Sequence, residues 1–183
     1  HYGKSLEKEN EDLLQDIKYA ENEPQRNALQ KLTEYFKTGD LKLWNEYNIL
    51  WAHATQGDID YILGFIEVYG DAIGKRATYE SVIQINDFEA SKQMAVVAAN
   101  AQWFEDNSSI KPEHKKKKVT GVSYKVVQVA AESGDCSPST PIGVNLPNNE
   151  WIREKHGSKS VSLGNIIAAY EKASGPGMLK EFA

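Results

Sequence analysis

The first third of the chain alternates apolar and polar residues with the spacing of α-helices. Apolar side chains recur three, four or seven positions apart among Glu, Lys, Asp and Gln, which is typical of a helix with one apolar face. Three such stripes follow one another: Leu6 to Ile17, Ala28 to Phe36, and Leu43 to Trp51. Pro24, between the first two stripes, suits the first turn of the second helix. The pattern predicts three consecutive helices that form a helical layer over residues 1–56.

The pattern then changes to that of β-strands. Residues 59–69 are rich in β-branched and aromatic side chains on both parities, which predicts a strand covered on both faces. Residues 78–85 alternate, with Tyr79, Ile83 and Ile85 on one face, and a turn over residues 70–76 would join the two strands in a hairpin. Two further strands are predicted, over residues 119–130 and 142–146.

Helices complete the second part of the chain. Asp87 caps an alanine-rich stretch that predicts one long helix to about Glu105. Residues 150–156 and 160–173 predict two C-terminal helices. The expected fold is α+β, with helices packed around a small mixed β-core or barrel of four to five strands. Residues 57–183 hold this core and its helices, and they form one structural unit with the layer before them.

Composition narrows the class of protein. The 183 residues carry 26 acidic and 21 basic side chains, a net charge of −5, which argues against nucleic-acid binding. No apolar run approaches the roughly 18 residues of a membrane span. The single cysteine, Cys136, cannot form an internal disulfide, which fits a reducing compartment. We therefore expect a cytoplasmic protein with neither a nucleic-acid nor a membrane partner.

Lys115–Lys118 could meet phosphate or an acidic partner, but the lack of interleaved aromatic residues favours a solvated loop.

The sequence contains no complete catalytic constellation. No two of the four histidines, at positions 1, 53, 114 and 156, are close in sequence, and the chain has no HExxH or CxxC pair. It also lacks a GxSxG elbow and a Walker A loop. Cys136 would need a nearby base and an electropositive site to act as a nucleophile, so an unreactive loop thiol is favoured. We predict no catalytic residue and no metal ligand within this chain.

Two polar positions need an explanation. Asn145 lies inside a predicted strand, where asparagine is depleted. It is either a turn asparagine that binds its own backbone or an exposed amide that holds an extended peptide on a strand edge. Asp60, near the start of the first strand, is either a solvated strand end or a carboxylate that binds a cation such as a peptide amine.

Several segments resemble one peptidase family. The run GFIEVYGDAIGKRATYE at residues 64–80 is similar to the GFIE-x-Y-x-D-x-x-G-x-R segment of the dipeptidyl peptidase III family. PIGVNLPN at residues 141–148 resembles that family's substrate-binding strand, roughly GxNxPN. Further matches are YAEN at residues 19–22, WIR at 151–153 and KSVSLGN at 159–165. The order holds from about Tyr19 to Tyr170.

The resemblance implies a function for a longer parent protein. Members are zinc exopeptidases with two lobes about a cleft, and they release dipeptides from the N-terminus of oligopeptides. Their HExxGH zinc motif is absent here, and the chain starts at His1 without a methionine. We therefore expect an internal fragment that contributes the β-core of the lower lobe. Zinc would belong to the parent, none would be bound by this chain, and the isolated fragment would be inactive.

The resemblance also implies a set of substrate-binding residues. Gly143, Asn145 and Asn148 match positions that hold the peptide backbone and its free amine. Arg153 matches an arginine at the same offset. Asp60 stands where the family tends to have a glutamate that pairs with the substrate ammonium, a charge-assisted interaction worth about 1.5–3 kcal/mol.

One position departs from the family pattern. Ile62 stands where eukaryotic relatives have a tyrosine that stabilises the oxyanion. Tyr61 is adjacent, but in a strand it would point to the other face. Either the register slips by one residue or this branch uses another group, so no catalytic tyrosine is assigned.

Two other functions stay open at this point. The chain could be a non-catalytic module that binds peptides or a partner strand. A Nudix-type hydrolase is the third reading, although Arg153-Glu154-Lys155 lacks the remaining glutamates of a Nudix box. Partners would be the oligopeptide substrate and the rest of the parent chain. Surface that the parent covers, around Trp44, Trp51 and Trp103, is expected to cause some self-association of the fragment.

Overall fold

The described part of the chain forms helices and a five-stranded β-sheet, as expected for the α+β class. The structure, a computed structural model, describes residues 2–70, 77–119, 122–137, 139–174 and 177. The helices are α1 (Gly3–Asp16), α2 (Glu23–Thr38), α3 (Leu41–His53), α4 (Phe88–Ala99), α5 (Ala101–Asp106), α6 (Glu150–His156) and α7 (Gly164–Ser174). The strands are β1 (Ile59–Glu67), β2 (Thr78–Asn86), β3 (Val122–Gly134), β4 (Gly143–Leu146) and β5 (Ser158–Leu163). The α+β prediction is confirmed.

Two compact units divide the chain. The first comprises His1–Asp58 and Leu146–Lys159, and the second comprises Ile59–Asn145 and Ser160–Ala183. In the first unit α1 packs on α2, α2 on α3, and α3 on α6. Each of these four helices buries apolar side chains: Leu13, Leu29, Leu32, Trp51 and Ile152. Burial of one such side chain contributes about 1.5–3 kcal/mol, so the predicted helical stripes form a core.

Helix α2 begins and ends with clear capping interactions. The Asn22 side chain accepts a hydrogen bond from the Gln25 amide at 2.9 Å, and the Gln25 side chain accepts one from the Glu21 amide at 2.7 Å. This exchange satisfies backbone donors that the first helical turn leaves free. The helix ends at Gly39, whose φ of 70° is a left-handed conformation that glycine adopts without strain.

The sheet has the strand order β1-β2-β3-β5-β4. β1 and β2 form the predicted antiparallel hairpin, and β3 pairs antiparallel with β2. Residues 71–76 of the predicted hairpin turn lie outside the described residues. The prediction left open whether the strands form a barrel. The sheet is open and does not close into a barrel, and β1 and β4 are its edge strands.

The prediction of a helix over residues 160–173 is wrong in its first part. Ser158–Leu163 is the strand β5, and the helix α7 begins only at Gly164. Lys159, Val161 and Leu163 are buried on one face of β5, while the serines between them are half-buried. This two-residue period is that of a strand, and the place between β3 and β4 supplies the backbone partners that stabilise it.

The predicted long helix is two helices. It breaks at Asn100, whose side-chain amide donates to the Val96 carbonyl at 2.7 Å and whose ψ of 12° is not helical. Asparagine competes in this way for backbone groups and so interrupts helices. The first piece, α4, is fixed to β3, because the Ser91 hydroxyl lies 3.0 Å from both the carbonyl oxygen and the amide nitrogen of Val126.

The tryptophans differ in exposure from the expectation. Trp51 is 4% exposed and belongs to the core of the first unit, so its face is not available to a partner. Trp44 is half-buried and stacks between Tyr35 and Tyr47, with ring centres 5.0 and 5.1 Å away. Trp103 is 60% exposed on α5. The expected apolar surface therefore exists at Trp103 but not at Trp51.

Candidate functional site

The segment Gly143–Asn148 contains three of the five residues predicted to bind substrate. Its first part is β4, the edge strand of the sheet, and no described strand pairs with the other side of β4. Asn145 and Asn148 are exposed, while Leu146 between them is 5% exposed. Burial of Leu146 fixes the strand, and the two asparagine side chains are left at the surface.

Gly143 allows β4 to approach its neighbour closely. A Cβ atom at this position would stand 2.7 Å from the carbonyl oxygen of Val161 on β5, which is too close for any real side chain. Beside it, the Leu163 amide donates to the Ile142 carbonyl at 2.9 Å. The glycine is therefore explained by packing of the strands, and it also leaves the backbone of β4 uncovered at its own position.

Asn145 is held by a neighbouring hydroxyl group. The Ser160 hydroxyl on β5 donates to Asn145 Oδ1 at 3.2 Å. The side chain does not bind its own backbone, which is what the turn interpretation of Asn145 required. The arrangement is that of an exposed strand residue with an oriented amide.

Asp60 lies at the other edge of the sheet. It is the second residue of β1, half-buried, and its Oδ1 accepts a hydrogen bond from the Tyr61 amide at 2.9 Å. The strand order separates β1 from β4 by four strand spacings of about 4.8 Å each in a flat sheet. The sheet therefore does not make Asp60 a direct neighbour of Asn145.

The β1 register bears on the missing tyrosine. The ladder between β1 and β2 runs without a shift from Ile59 to Phe65, so Ile62 stays two residues after Asp60 on the same face. Tyr61 is 7% exposed, and burial, with a smaller contribution from Asp60, raises the pKa of its hydroxyl group. Ile62 has no hydroxyl group and the hydroxyl group of Tyr61 is buried, so neither side chain offers an exposed phenol to a ligand.

Asn148 and Arg153 belong to the first unit. Asn148 is exposed just before α6, and Arg153 is half-buried on α6. The start of this helix is held by Asn149, whose carbonyl accepts from the Arg153 amide at 3.1 Å and whose side-chain amide donates to Asn45 at 3.3 Å. The Arg153 guanidinium has no hydrogen bond or ion pair to any residue that the structure describes, which leaves it available to a carbonyl or carboxylate.

The described residues do not fit a zinc site. Across the described ranges, no group of three or more His, Cys, Asp or Glu side chains is placed to hold a metal ion. His53 and His156 lie 5.6 Å apart between ring centres, but two imidazoles fall short of the roughly three protein ligands that zinc requires.

Cys136 is a buried thiol. It is 3% exposed, and its Sγ lies 3.2 Å from the carbonyl oxygen of Ser133 and 3.3 Å from that of Ser81, either of which can accept its single hydrogen. Burial is the main cause that raises the pKa of this thiol. A protonated, enclosed thiol is a poor nucleophile, which fits the expectation that Cys136 is an unreactive thiol.

Three buried polar residues were missed by the sequence interpretation: Glu80, Gln84 and Lys159 are 4%, 1% and 3% exposed. Glu80 and Gln84 share the buried face of β2 with Val82, while the apolar Ile83 and Ile85 face outward. The Lys159 ammonium lies 4.2 Å from the ring centre of Trp51. Residues 159–163 alternate between serines and other residues, a weak signal for Lys159, whereas Val82 and Ile83 are adjacent in β2, so the sequence held no such signal for Glu80 and Gln84.

Comparisons with known proteins identify the class. Residues 1–181 match the family model "Peptidase family M49", and the chain belongs to that family. Dipeptidyl peptidase 3 of Dictyostelium discoideum is 29% identical over 168 residues, which are 92% of this chain and 24% of that protein. The solved structure of DPP III from Caldithrix abyssi superposes with a TM-score of 0.79 at 27% identity, over 92% of this chain and 32% of that one. The chain thus spans about a quarter of the length of the curated relatives it matches.

One relative has a different name. "Nudix hydrolase 3" of Arabidopsis thaliana is 31% identical in an alignment that covers 91% of this chain and 24% of that protein. The family match does not favour a Nudix function or a non-catalytic module for this chain.

Of the helices in the described ranges, none has both the length and the apolar composition needed to cross a bilayer.

Proposed function

We propose that this chain is the part of a dipeptidyl peptidase that binds the N-terminal end of an oligopeptide substrate. The observation that carries the proposal is the exposed Asn145 on the edge strand β4, in a member of peptidase family M49. An edge strand presents backbone donors and acceptors to an extended peptide, and side chains along it add specificity. Asn145 adds an amide to this edge.

Asp60, Asn148 and Arg153 have distinct roles in the proposal. Asp60 binds the substrate ammonium and so marks the end from which two residues are counted. Asn148 and Arg153 contact backbone carbonyls, a role that suits the half-buried guanidinium of Arg153, which has no hydrogen bond or ion pair among the described residues. Because β1 and β4 are opposite edges of an open sheet, Asp60 and Asn145 would contact different parts of the bound peptide.

The contribution of this chain to catalysis is orientation. A peptide held at its first residues presents one peptide bond to the reacting groups. Such positioning can lower the activation barrier by several kcal/mol. The described residues do not fit zinc, so we place the metal of the parent enzyme outside them. The isolated chain would then be inactive, and the parent would be a cytoplasmic zinc exopeptidase.

Exposed apolar surface supports the rest of the parent chain as a partner. Trp103 and Phe104 on α5 are 60% and 50% exposed, and Ile85 on β2 is 46% exposed. An exposed apolar patch, such as the one that the neighbouring rings of Trp103 and Phe104 form, is typical of an interaction site. In the proposal, the remaining part of the parent covers these residues.

Steady-state kinetics on the full-length protein test the proposal. With a dipeptidyl arylamide as substrate, Asn145→Ala should raise KM about two- to tenfold, because one neutral hydrogen bond is lost. Asp60→Asn should lower kcat/KM about 10- to 100-fold, because an ion pair is lost. The control is Asn27→Ala, an exposed asparagine on α2. If the wild type releases no dipeptide, or if Asn145→Ala and Asp60→Asn behave like the control, the proposed function is wrong.

A further inference from the structure

We propose that Ser160 is a positioning residue that fixes the Asn145 side chain with its NH2 group toward the peptide. The site then recognises a hydrogen-bond acceptor, a backbone carbonyl of the substrate, at this position of β4. This inference rests on the proposed function and adds to it the direction of one specific hydrogen bond.

The hydrogen bond between the two residues sets that direction. The Ser160 hydroxyl donates to Asn145 Oδ1 at 3.2 Å. An asparagine amide has one acceptor end and one donor end, and an exposed side chain can present either end by rotating half a turn. With Oδ1 bound to Ser160, Nδ2 and its two hydrogens are the end that Asn145 offers to a ligand.

The strand keeps Ser160 in place. On β5, Val161 and Leu163 are 7% and 0% exposed, and they pack with Val127 in the core of the sheet. Because side chains alternate along a strand, this packing fixes Ser160 on the other face. The hydroxyl is thus held on a rigid element beside β4, which is the arrangement that keeps a binding group oriented before its ligand arrives.

The next serine on the same face makes a different contact. Ser162 lies 2.6 Å, hydroxyl to hydroxyl, from Tyr124 on β3, whereas Ser160 bonds to β4. β5 lies between these two strands, so successive hydroxyl groups on one face serve opposite neighbours. Ser162→Ala therefore removes a comparable hydroxyl group without touching Asn145.

Kinetics of the full-length protein with a dipeptidyl arylamide test the role of Ser160. Ser160→Val should raise KM about two- to fivefold, and by no more than Asn145→Ala does, with little change in kcat, since an unfixed amide loses binding and not chemistry. Ser160→Thr has the same shape as Val and restores the hydroxyl group, so its KM should return to within twofold of the wild type. Ser162→Ala should match the wild type.

Asn145→Asp tests the direction of the bond. The carboxylate still accepts from Ser160 but cannot donate to a carbonyl, so KM should rise at least as much as in Asn145→Ala. Wild-type KM in Asn145→Asp, or equal KM in Ser160→Val and Ser160→Thr, would overturn the inference while Asn145→Ala still supports the proposed function. A wild-type enzyme that does not act on peptides would overturn both.

Discussion

Glu80 is a carboxyl group enclosed within the sheet. It is 4% exposed on β2, opposite Gly64 of β1 and Gly134 of β3. Burial raises its pKa to about 7, and the negative charges of Glu67 and Asp135 add to the effect. The group is therefore protonated in the folded chain at pH values where it is ionised in the unfolded chain.

The stability of this chain should fall as pH rises through the range set by Glu80. Between its ordinary pKa of 4.5 and about 7, the folded state binds the extra proton, so the free energy of unfolding decreases across this range and levels off above it. The glutamine in Glu80→Gln carries no titrating group. Between pH 5 and pH 8, the free energy of unfolding of this variant should therefore fall by on the order of 2–3 kcal/mol less than that of the wild type. Urea unfolding at both pH values measures the difference.

The control for this measurement is Glu113→Gln, which changes an exposed carboxyl group near α5. It should show the pH dependence of the wild type. The assigned pKa would be contradicted if, from pH 5 to pH 8, the free energy of unfolding of the wild type did not fall by more than that of Glu80→Gln.

Gln84 carries a cost that a substitution should reveal. Its side chain is 1% exposed, and its Nε2 has no hydrogen-bond partner among the residues described. A buried donor without a partner costs about 1–3 kcal/mol, so Gln84→Met should raise the free energy of unfolding by about 1 kcal/mol. Gln128→Met is the matched control, because Gln128 Nε2 donates to Asp87 at 2.9 Å and its loss should not stabilise the chain. Destabilisation by Gln84→Met would show that Nε2 is satisfied.

At the scale of elements, the start of α2 depends on Asn22. Its side chain accepts from the Gln25 amide and donates to the Gln56 carbonyl, each at 2.9 Å. Asn22→Ala should lower the free energy of unfolding by about 1 kcal/mol, the usual effect of a lost helix cap. Thermal unfolding followed by circular dichroism measures it, and Asn27→Ala, exposed inside the same helix, should be unchanged or slightly more stable. Equal loss in both variants would rule out the cap.

The elements also show what the sequence could predict. The hairpin β1–β2 and the helix α6 were found because local periodicity and turn residues define them. β5 was missed because the seven residues from Ser158 to Gly164 are too few to separate a strand from the first turn of a helix. Its pairing with β3 and β4 comes from distant parts of the chain, which local pattern does not contain.

The candidate site was predictable to a similar extent. Asn145 was recognised as unusual because asparagine is depleted in strands, and the structure places it on the exposed edge strand β4. Its partner Ser160 lies 15 residues away in a segment predicted to be helical, so the bond that orients the amide could not be inferred. The buried face of β2 was also hidden, since Ile83 and Ile85 are the exposed apolar residues there.

At the scale of the whole molecule, exposed aromatic residues should cause self-association of this chain. Trp103 and Phe104 are adjacent on α5 and largely exposed. Sedimentation at rising concentration should show an increasing mean mass that the double substitution Trp103→Ala and Phe104→Ala reduces. Tyr19→Ala, which removes an isolated aromatic side chain that is 82% exposed, is the control and should leave association unchanged. A monomer at every concentration would contradict the prediction.

In the proposed function, this chain recognises the N-terminal end of a peptide within the parent enzyme. The most direct measurement compares the affinity of the full-length protein for a non-hydrolysable peptide with a free amine and for the same peptide acetylated at its N-terminus. We expect acetylation to weaken binding about 10- to 100-fold, because the ammonium loses its charge-assisted bond to Asp60, and Asp60→Asn to remove most of this difference. Equal affinity for both peptides would contradict it.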